Sequence, residues 1–367
     1  MTSNRDYAVD VFKSLLMMMI VVLHAILHGL NLQGLRTGET LHPNCGPPVV
    51  ILGTLCIVAV NCYFFLSGYF HINLSPKKLF LLWTQCGFYA FVWWSVLLSM
   101  KVFRIVSHDS FSNLINVLLP IRAYWFMGVY FLLSLLAPFL NRMVDGLTVK
   151  QQVGLLAIIT FITVVFGFLL DWVGIGTGFT LAQGIYMYLF GNICAKNIEK
   201  TRRRFHRSLL LTEYVLCSIV TGIAVVLLHW IFGKDVRAGW VLQYNNPFII
   251  LASVCLALVF IGLSVGERKS LVWISKLSRY SLAVYLITDY NAKVRKIVFH
   301  PMLTIIEHSN YIVVHIVVIL FYALVLFIVC VLIEWIRQLL FKWIGRVLHM
   351  EEIYERICNR CRRTAWF

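Results

Sequence analysis

The chain has 367 residues, 60% of them hydrophobic and 13% charged, with a mean hydropathy of +0.83 and a formal net charge of +16. Soluble domains carry about 45–50% apolar and about 25% charged residues, so a water-soluble enzyme, a secreted disulfide scaffold and a disordered chain are excluded. The positive charge is explained by the lysine and arginine bias of membrane loops, and no nucleic-acid partner is expected.

A transmembrane helix needs roughly 20 predominantly apolar residues. Ten segments meet that need in chain order: 11–30, 47–69, 79–100, 123–141, 153–173, 179–195, 208–232, 247–265, 281–299 and 311–336. The expected fold is therefore all-α, a polytopic membrane protein of about ten transmembrane helices. Residues 1–336 form its single membrane domain, and 337–367 a basic amphipathic tail lying along the inner leaflet. The first apolar run contains two histidines and no small-residue cleavage site, so it reads as a permanent helix rather than a signal peptide. Residues 111–120 read as a short interfacial helix leading into the fourth span. The ninth segment is crowded at its end by Lys293, Arg295 and Lys296.

Loop charges orient the chain. With a cytoplasmic N-terminus, 23 of the basic residues fall on inside segments and 9 on outside segments, which places both termini in the cytoplasm. Of ten cysteines, seven lie in apolar runs (Cys56, Cys62, Cys86, Cys194, Cys217, Cys255 and Cys330), where cysteine is a small hydrophobe. Cys358 and Cys361 form a CxxC in the tail without a second pair to complete a zinc site, so no metal is expected. These two tail thiols are also open to palmitoylation.

Ionisable residues inside the hydrocarbon cost about 2.5–3.5 kcal/mol each on insertion scales and mark functional candidates. The first span holds the densest set, Asp10, Lys13, His24 and His28. Lys13 and His24 are separated by three turns plus roughly 20°, so they share a face about 16 Å apart along the axis. The helix thus carries an ion pair at its cytoplasmic mouth and imidazoles deeper, where one can take and return a proton. The same residues also allow a plainer arrangement, with Lys13 snorkelling to the headgroups and His24 bonded to a neighbouring helix. Glu213 and Glu334 are expected on solvated faces near cytoplasmic helix ends, and His315 in a structural role. Asp289 and Asn291 are candidates to line a cavity. Arg122 and the following Tyr124-Trp125-Phe126 read either as an aromatic belt or as an acceptor contact. The run Arg202-Arg203-Arg204 suits either an anionic cofactor or the charge bias of the loops.

The opening Arg5, Asp10, Lys13 and His24, then Phe64–Tyr69, Tyr124–Phe126 with Ala137–Asn141, and Ser281–Ile287, in that order, resemble the motifs of the acyltransferase-3 family of bacterial integral-membrane acyltransferases. The opening Arg5-x4-Asp10-x2-Lys13-x10-His24 is similar to the family's Arg-x10-His signature, with Lys13 in place of the arginine. Phe64-Phe65-Leu66-Ser67-Gly68-Tyr69 resembles its Phe-Phe-x-x-Ser-Gly motif. Tyr124-Trp125-Phe126 with Ala137-Pro138-Phe139-Leu140-Asn141 resembles its fourth-span pattern, and Ser281-x3-Tyr285-Leu286-Ile287 its late Ser-x3-Tyr-Leu element. Thr288 stands where many members place a histidine, and Lys13 lacks the planar fork with which arginine holds phosphate or carboxylate.

The resemblance implies transfer of an acyl group, usually acetyl, from cytoplasmic acyl-CoA to a hydroxyl of an extracytoplasmic cell-surface glycan or lipid-linked sugar, in the inner membrane of a bacterial cell. Acetyl-CoA, the glycan and membrane lipid are the implied partners. Under that reading His24, Lys13 and Asp10 are the catalytic set. Arg5, Ser67, Gly68 and Tyr69 contact the donor, and Arg122, Trp125, Tyr285 and Asp289 are acceptor-side candidates. With no fused extracytoplasmic domain, the membrane unit is expected to complete the transfer alone or to pass the acyl group to a partner. A transporter or flippase of a lipid-linked sugar is the alternative, since polar midplane residues serve it equally, and a non-catalytic assembly protein is the third.

Overall fold

The computed structural model describes residues 7–36, 39, 41–103, 110–171, 176–197, 206–233, 238–261, 263 and 269–347. Arg5, Arg202–Arg204 and the tail cysteines Cys358 and Cys361 lie outside the described residues. Among the described residues the regular structure is helical throughout. Eight helical segments are long and apolar enough to cross a membrane. The chain is an all-α, multi-pass membrane protein.

Helix α1 (Tyr7–His24) runs without proline or glycine and continues as one π-helical turn, Ala25–Gly29. Helices α2 (Pro47–Cys56) and α3 (Ala59–Tyr69) form one kinked span, α2 opening with proline in its first turn after Gly46. Helix α4 (Pro76–Val102) starts at Ser75, whose hydroxyl accepts from the Lys78 amide. Two short helices, α5 (Ser110–Leu118) and α6 (Pro120–Ala123), lead into α7 (Trp125–Asp145); α5 falls on the segment expected to be an interfacial helix. Thr148 and Gln151 close a capping box at the start of α8 (Val149–Phe161), which continues as a π-helical stretch over Ile162–Leu169.

Helix α9 (Leu181–Lys196), capped by Thr180, has 16 residues and lies below the length of the eight spans. Helix α10 (Arg207–Phe232) is followed by α11 (Pro247–Phe260), whose N-cap Asn246 accepts from the Phe248 amide at 2.9 Å. Helices α12 (Lys269–Leu277), α13 (Leu282–Thr288), α14 (Ala292–Glu307) and α15 (Ile312–Val347) complete the order. Helix α15 passes through Ile336, the expected start of the tail, as one unbroken helix.

The expected ninth span, 281–299, is two helices rather than one. Helix α13 ends at Thr288 and α14 begins after Asn291, whose side chain accepts from the Val294 amide at 3.0 Å. A break inside a membrane needs partners for the carbonyls it frees. They are present: the Tyr124 hydroxyl donates to Leu286 O at 3.0 Å and the Trp93 indole N–H to Ile287 O at 3.0 Å. Apolar periodicity read through this break because those donors come from α4 and from the residue before α7.

Helix α1 is the hub. It packs against α2, α3, α12, α13 and α15, and most of its side chains are buried, whereas α8, α10 and α15 present many exposed apolar side chains. The tightest crossing joins α3 to α9. A Cβ on Gly68 would collide with the Tyr188 carbonyl, and one on Gly191 with the Phe65 carbonyl, so two glycines let the backbones approach directly.

Glu334 departs from its expected solvated position, since its side chain is fully buried between α4 and α15. Arg337 donates to both its oxygens at 2.7 Å, Tyr89 Oη donates to Oε2 at 2.7 Å, and Gln85 and Gln338 donate to Oε1. A carboxylate so fully bonded can sit in an apolar bundle at a low cost. The partners on α4 lie about 245 residues away in sequence, which is why local pattern did not indicate the burial.

Candidate functional site

A cavity of about 940 Å³ runs beside α1 from Lys13 to Arg36. Lys13 and His28 are 15 residues apart, about 22 Å of helix, so the cavity traverses most of an apolar layer about 30 Å thick. Among the described residues its lining includes four lysine and arginine side chains, Lys13, Lys78, Arg36 and Arg295, and a single carboxylate, Asp289.

At the Lys13 end, Lys13 pairs with Asp10 at 3.8 Å and stands over the Phe70 ring at 5.9 Å. Tyr63 Oη donates to the Lys13 carbonyl at 2.7 Å, tying α3 to α1 at this level. Residues 70–75, the loop between α3 and α4, close this end of the cavity. His71 adopts a left-handed conformation there (φ 50°), and its Nε2 is buried without a hydrogen-bond partner.

The centre is built by two breaks in helical regularity. The π turn after His24 and the gap after Thr288 bring His24, His28 and Asp289 together. His24 Nε2 lies 3.9 Å from Asp289 Oδ2, and His28 Nε2 lies 3.8 Å from Asp289 Oδ1. Arg295, one turn into α14, places its Nε 2.7 Å from the same Oδ1 as an ion pair. The Tyr285 ring centroid is 6.2 Å from that of His24, and both His24 Nδ1 and Tyr285 Oη are buried without hydrogen-bond partners. This leaves an imidazole with one nitrogen turned to a carboxylate and the other unengaged, the arrangement of a positioned base or nucleophile. Ligand atoms of His24, His28 and Asp289 all lie within 4.8 Å of one another, a metal-ligating set by residue type. Arg295 already supplies a cation to the carboxylate, so a dication would sit against a guanidinium.

The Arg36 end has an aromatic wall. Trp125 and Tyr244 stack with centroids 5.8 Å apart, and Phe179 is 5.1 Å from Trp125 and 4.5 Å from Tyr244. Tyr244 is held from below, its carbonyl accepting from Asn61 Nδ2 at 2.9 Å and Gln183 Nε2 at 3.0 Å.

Of the sequence-derived candidates, Lys13, His24, Ser67, Trp125, Tyr285 and Asp289 line this one cavity. Asp10 stands behind Lys13. Gly68 faces α9, Tyr69 packs edge-on against Phe70 at 5.1 Å, and Arg122 is exposed outside the lining. Arg36, Lys78, Tyr244 and Arg295 went unselected, and His28, named with the ionisable set of the first span, was given no site role. His28 was visible as a second histidine four residues after His24; the others carry no local signal beyond their type.

A family model of an acyltransferase domain, that of the acyltransferase-3 family, matches residues 6–345. The chain belongs to the acyltransferase-3 family. The match covers both helical breaks and both ends of the cavity, and makes this protein a membrane acyltransferase. No curated protein and no solved structure matches the chain.

Proposed function

We propose that this acyltransferase takes an acyl group, acetyl in the first instance, from cytoplasmic acyl-CoA and places it on a hydroxyl of an extracytoplasmic glycan or lipid-linked sugar. The observation that carries the reading is the single cavity joining a cationic mouth at Lys13 to the unengaged imidazole of His24 and onward to the aromatic wall at Trp125. In this reading the Lys13 end faces the cytoplasm, as the loop charges indicate.

Lys13 and Lys78 meet the phosphates of the donor, which cannot enter the hydrocarbon, and Asp10 holds Lys13 at the mouth. Arg5 and Ser67 are further donor-side contacts, Ser67 from the cavity wall. The uncharged pantetheine arm extends along α1 and brings the thioester to His24. There the acceptor oxygen attacks the thioester carbonyl and His24 takes the hydroxyl proton. The carbon–sulfur bond breaks, and the thiolate leaves and receives that proton. Asp289 turns the imidazole and balances its charge during the step, the role of a carboxylate behind a catalytic histidine. Tyr285 Oη stands ready to donate to the oxyanion.

The reading is tested with inverted membrane vesicles, radiolabelled acetyl-CoA and endogenous glycan. Label on the glycan that vanishes in His24→Ala, at unchanged protein level, supports it. Movement of unmodified sugar-lipid without label transfer replaces it with a flippase.

A further inference from the structure

Arg36 is a half-buried guanidinium in the cavity wall that has no carboxylate partner among the described residues. Its Nη2 donates to the Leu242 carbonyl, its Cζ lies over the Phe179 ring 4.5 Å from the centroid, and its Nε is buried without a partner. An arginine cannot shed its charge, and a buried charge without a counter-ion is costly. Arg295 lines the same cavity, and the joint charge of the two guanidinium groups exceeds that of Asp289, the one carboxylate among the described lining residues. Leu242 O engages one of the five N–H groups of Arg36, which leaves donors for the cavity that Arg36 lines.

We infer that the acceptor is an anionic saccharide, whose carboxylate or phosphate is received by Arg36 while a sugar ring stacks on Trp125, Phe179 and Tyr244. The inference rests on the transferase reading for the acceptor's role and adds to it the acceptor's chemical class. Aromatic faces take the apolar face of a pyranose, and a guanidinium takes an oxyanion in its fork. With the charge anchored at Arg36, the ring is held on the side of His24 away from Lys13, so one hydroxyl is presented to the imidazole. Two sources share this chemistry: a uronic acid within a glycan, and the diphosphate of a lipid-linked sugar.

The test uses the full chain in lipid nanodiscs and measures binding of three probes. These are a uronic-acid tetrasaccharide, a neutral tetrasaccharide of matched size, and a neutral disaccharide on a short polyprenyl diphosphate, referred to the same lipid diphosphate without sugar. At least one anionic probe is expected to bind about tenfold or more tightly than the neutral one, and which one does so identifies the source. Arg36→Gln is expected to abolish the preference and Arg36→Lys to keep part of it. In the unaltered protein the preference shrinks as potassium chloride is raised, a measurement that stands even if Arg36→Gln does not insert. Equal binding of the neutral probe, or a preference that survives Arg36→Gln in inserted protein, overturns the inference. None of these arms requires acyl transfer. Anion-selective binding without consumption of acetyl-CoA would remove the transferase reading and leave the subsite, and transfer to neutral glycan unaffected by Arg36→Gln would do the reverse.

Discussion

His24 and Asp289 face each other across 3.9 Å, although they are 265 positions apart in the chain. His24 ends the regular part of α1, and Asp289 is the first residue beyond α13. The site therefore sits where two helices stop being regular, and where backbone inside a membrane must be sheltered by protein.

Replacing His24 by alanine is expected to lower acyl transfer by about 10²–10⁴-fold, the span of general acid–base catalysis. Asp289→Asn preserves the shape of the site while removing the charge, and is expected to lower kcat by roughly a hundredfold with little change in the KM for the donor. Steady-state rates with acetyl-CoA on purified protein check both. A rise confined to KM, with kcat unchanged, would place Asp289 outside the chemical step.

Lys13→Gln is expected to raise the KM for acyl-CoA by about tenfold with kcat less affected, because the cation holds the donor before chemistry begins. Lys13→Arg supplies a bidentate fork and is expected to lower that KM. Dephospho-CoA thioesters, which lack one phosphate, should narrow the gap between Lys13→Gln and the unaltered protein.

Gly68→Ala and Gly191→Ala each put a methyl group into the facing backbone carbonyl of the α3–α9 crossing. Neither helix can yield by rotating a side chain, so a loss of about 1–3 kcal/mol or more is expected for each. Thermal unfolding in detergent reads it. Loss of activity at unchanged midpoint would instead assign Gly68 to the donor.

Glu334→Leu leaves the nearly buried Arg337 without its carboxylate, facing only the Phe88 and Phe341 rings, and is expected to cost about 3–5 kcal/mol. Tyr89→Phe removes one hydrogen bond to the same carboxylate and should cost about 1 kcal/mol. In the double variant the Tyr89 cost disappears, since its acceptor is already gone.

Asn291→Ala removes the cap that starts α14 and is expected to cost about 1 kcal/mol of stability. Because Asp289 and Arg295 flank that cap, the variant should also lower kcat several-fold while leaving donor KM intact. Asn291→Asp or Asn291→Ser, which can cap, should restore both.

Length and hydropathy alone determined that the chain is a helical membrane protein, because hydrocarbon admits only segments whose backbone bonds are satisfied internally. Spacing along one helix was enough to put Lys13 and His24 on a common stripe, since helical geometry is local. Order of motifs supplied the family, now matched over residues 6–345. Tertiary structure alone decided the rest. The donors that split 281–299 into two helices come from Trp93 and Tyr124, and the bonds that bury Glu334 come partly from Gln85 and Tyr89. Neither set has a fixed separation from the groups it serves. The same holds for Asp289 beside His24, Gly68 against Tyr188 and Arg36 over Phe179. Hydropathy scores each residue by its own transfer cost, whereas a polar group in a bilayer is stable according to the partner that a distant helix brings to it.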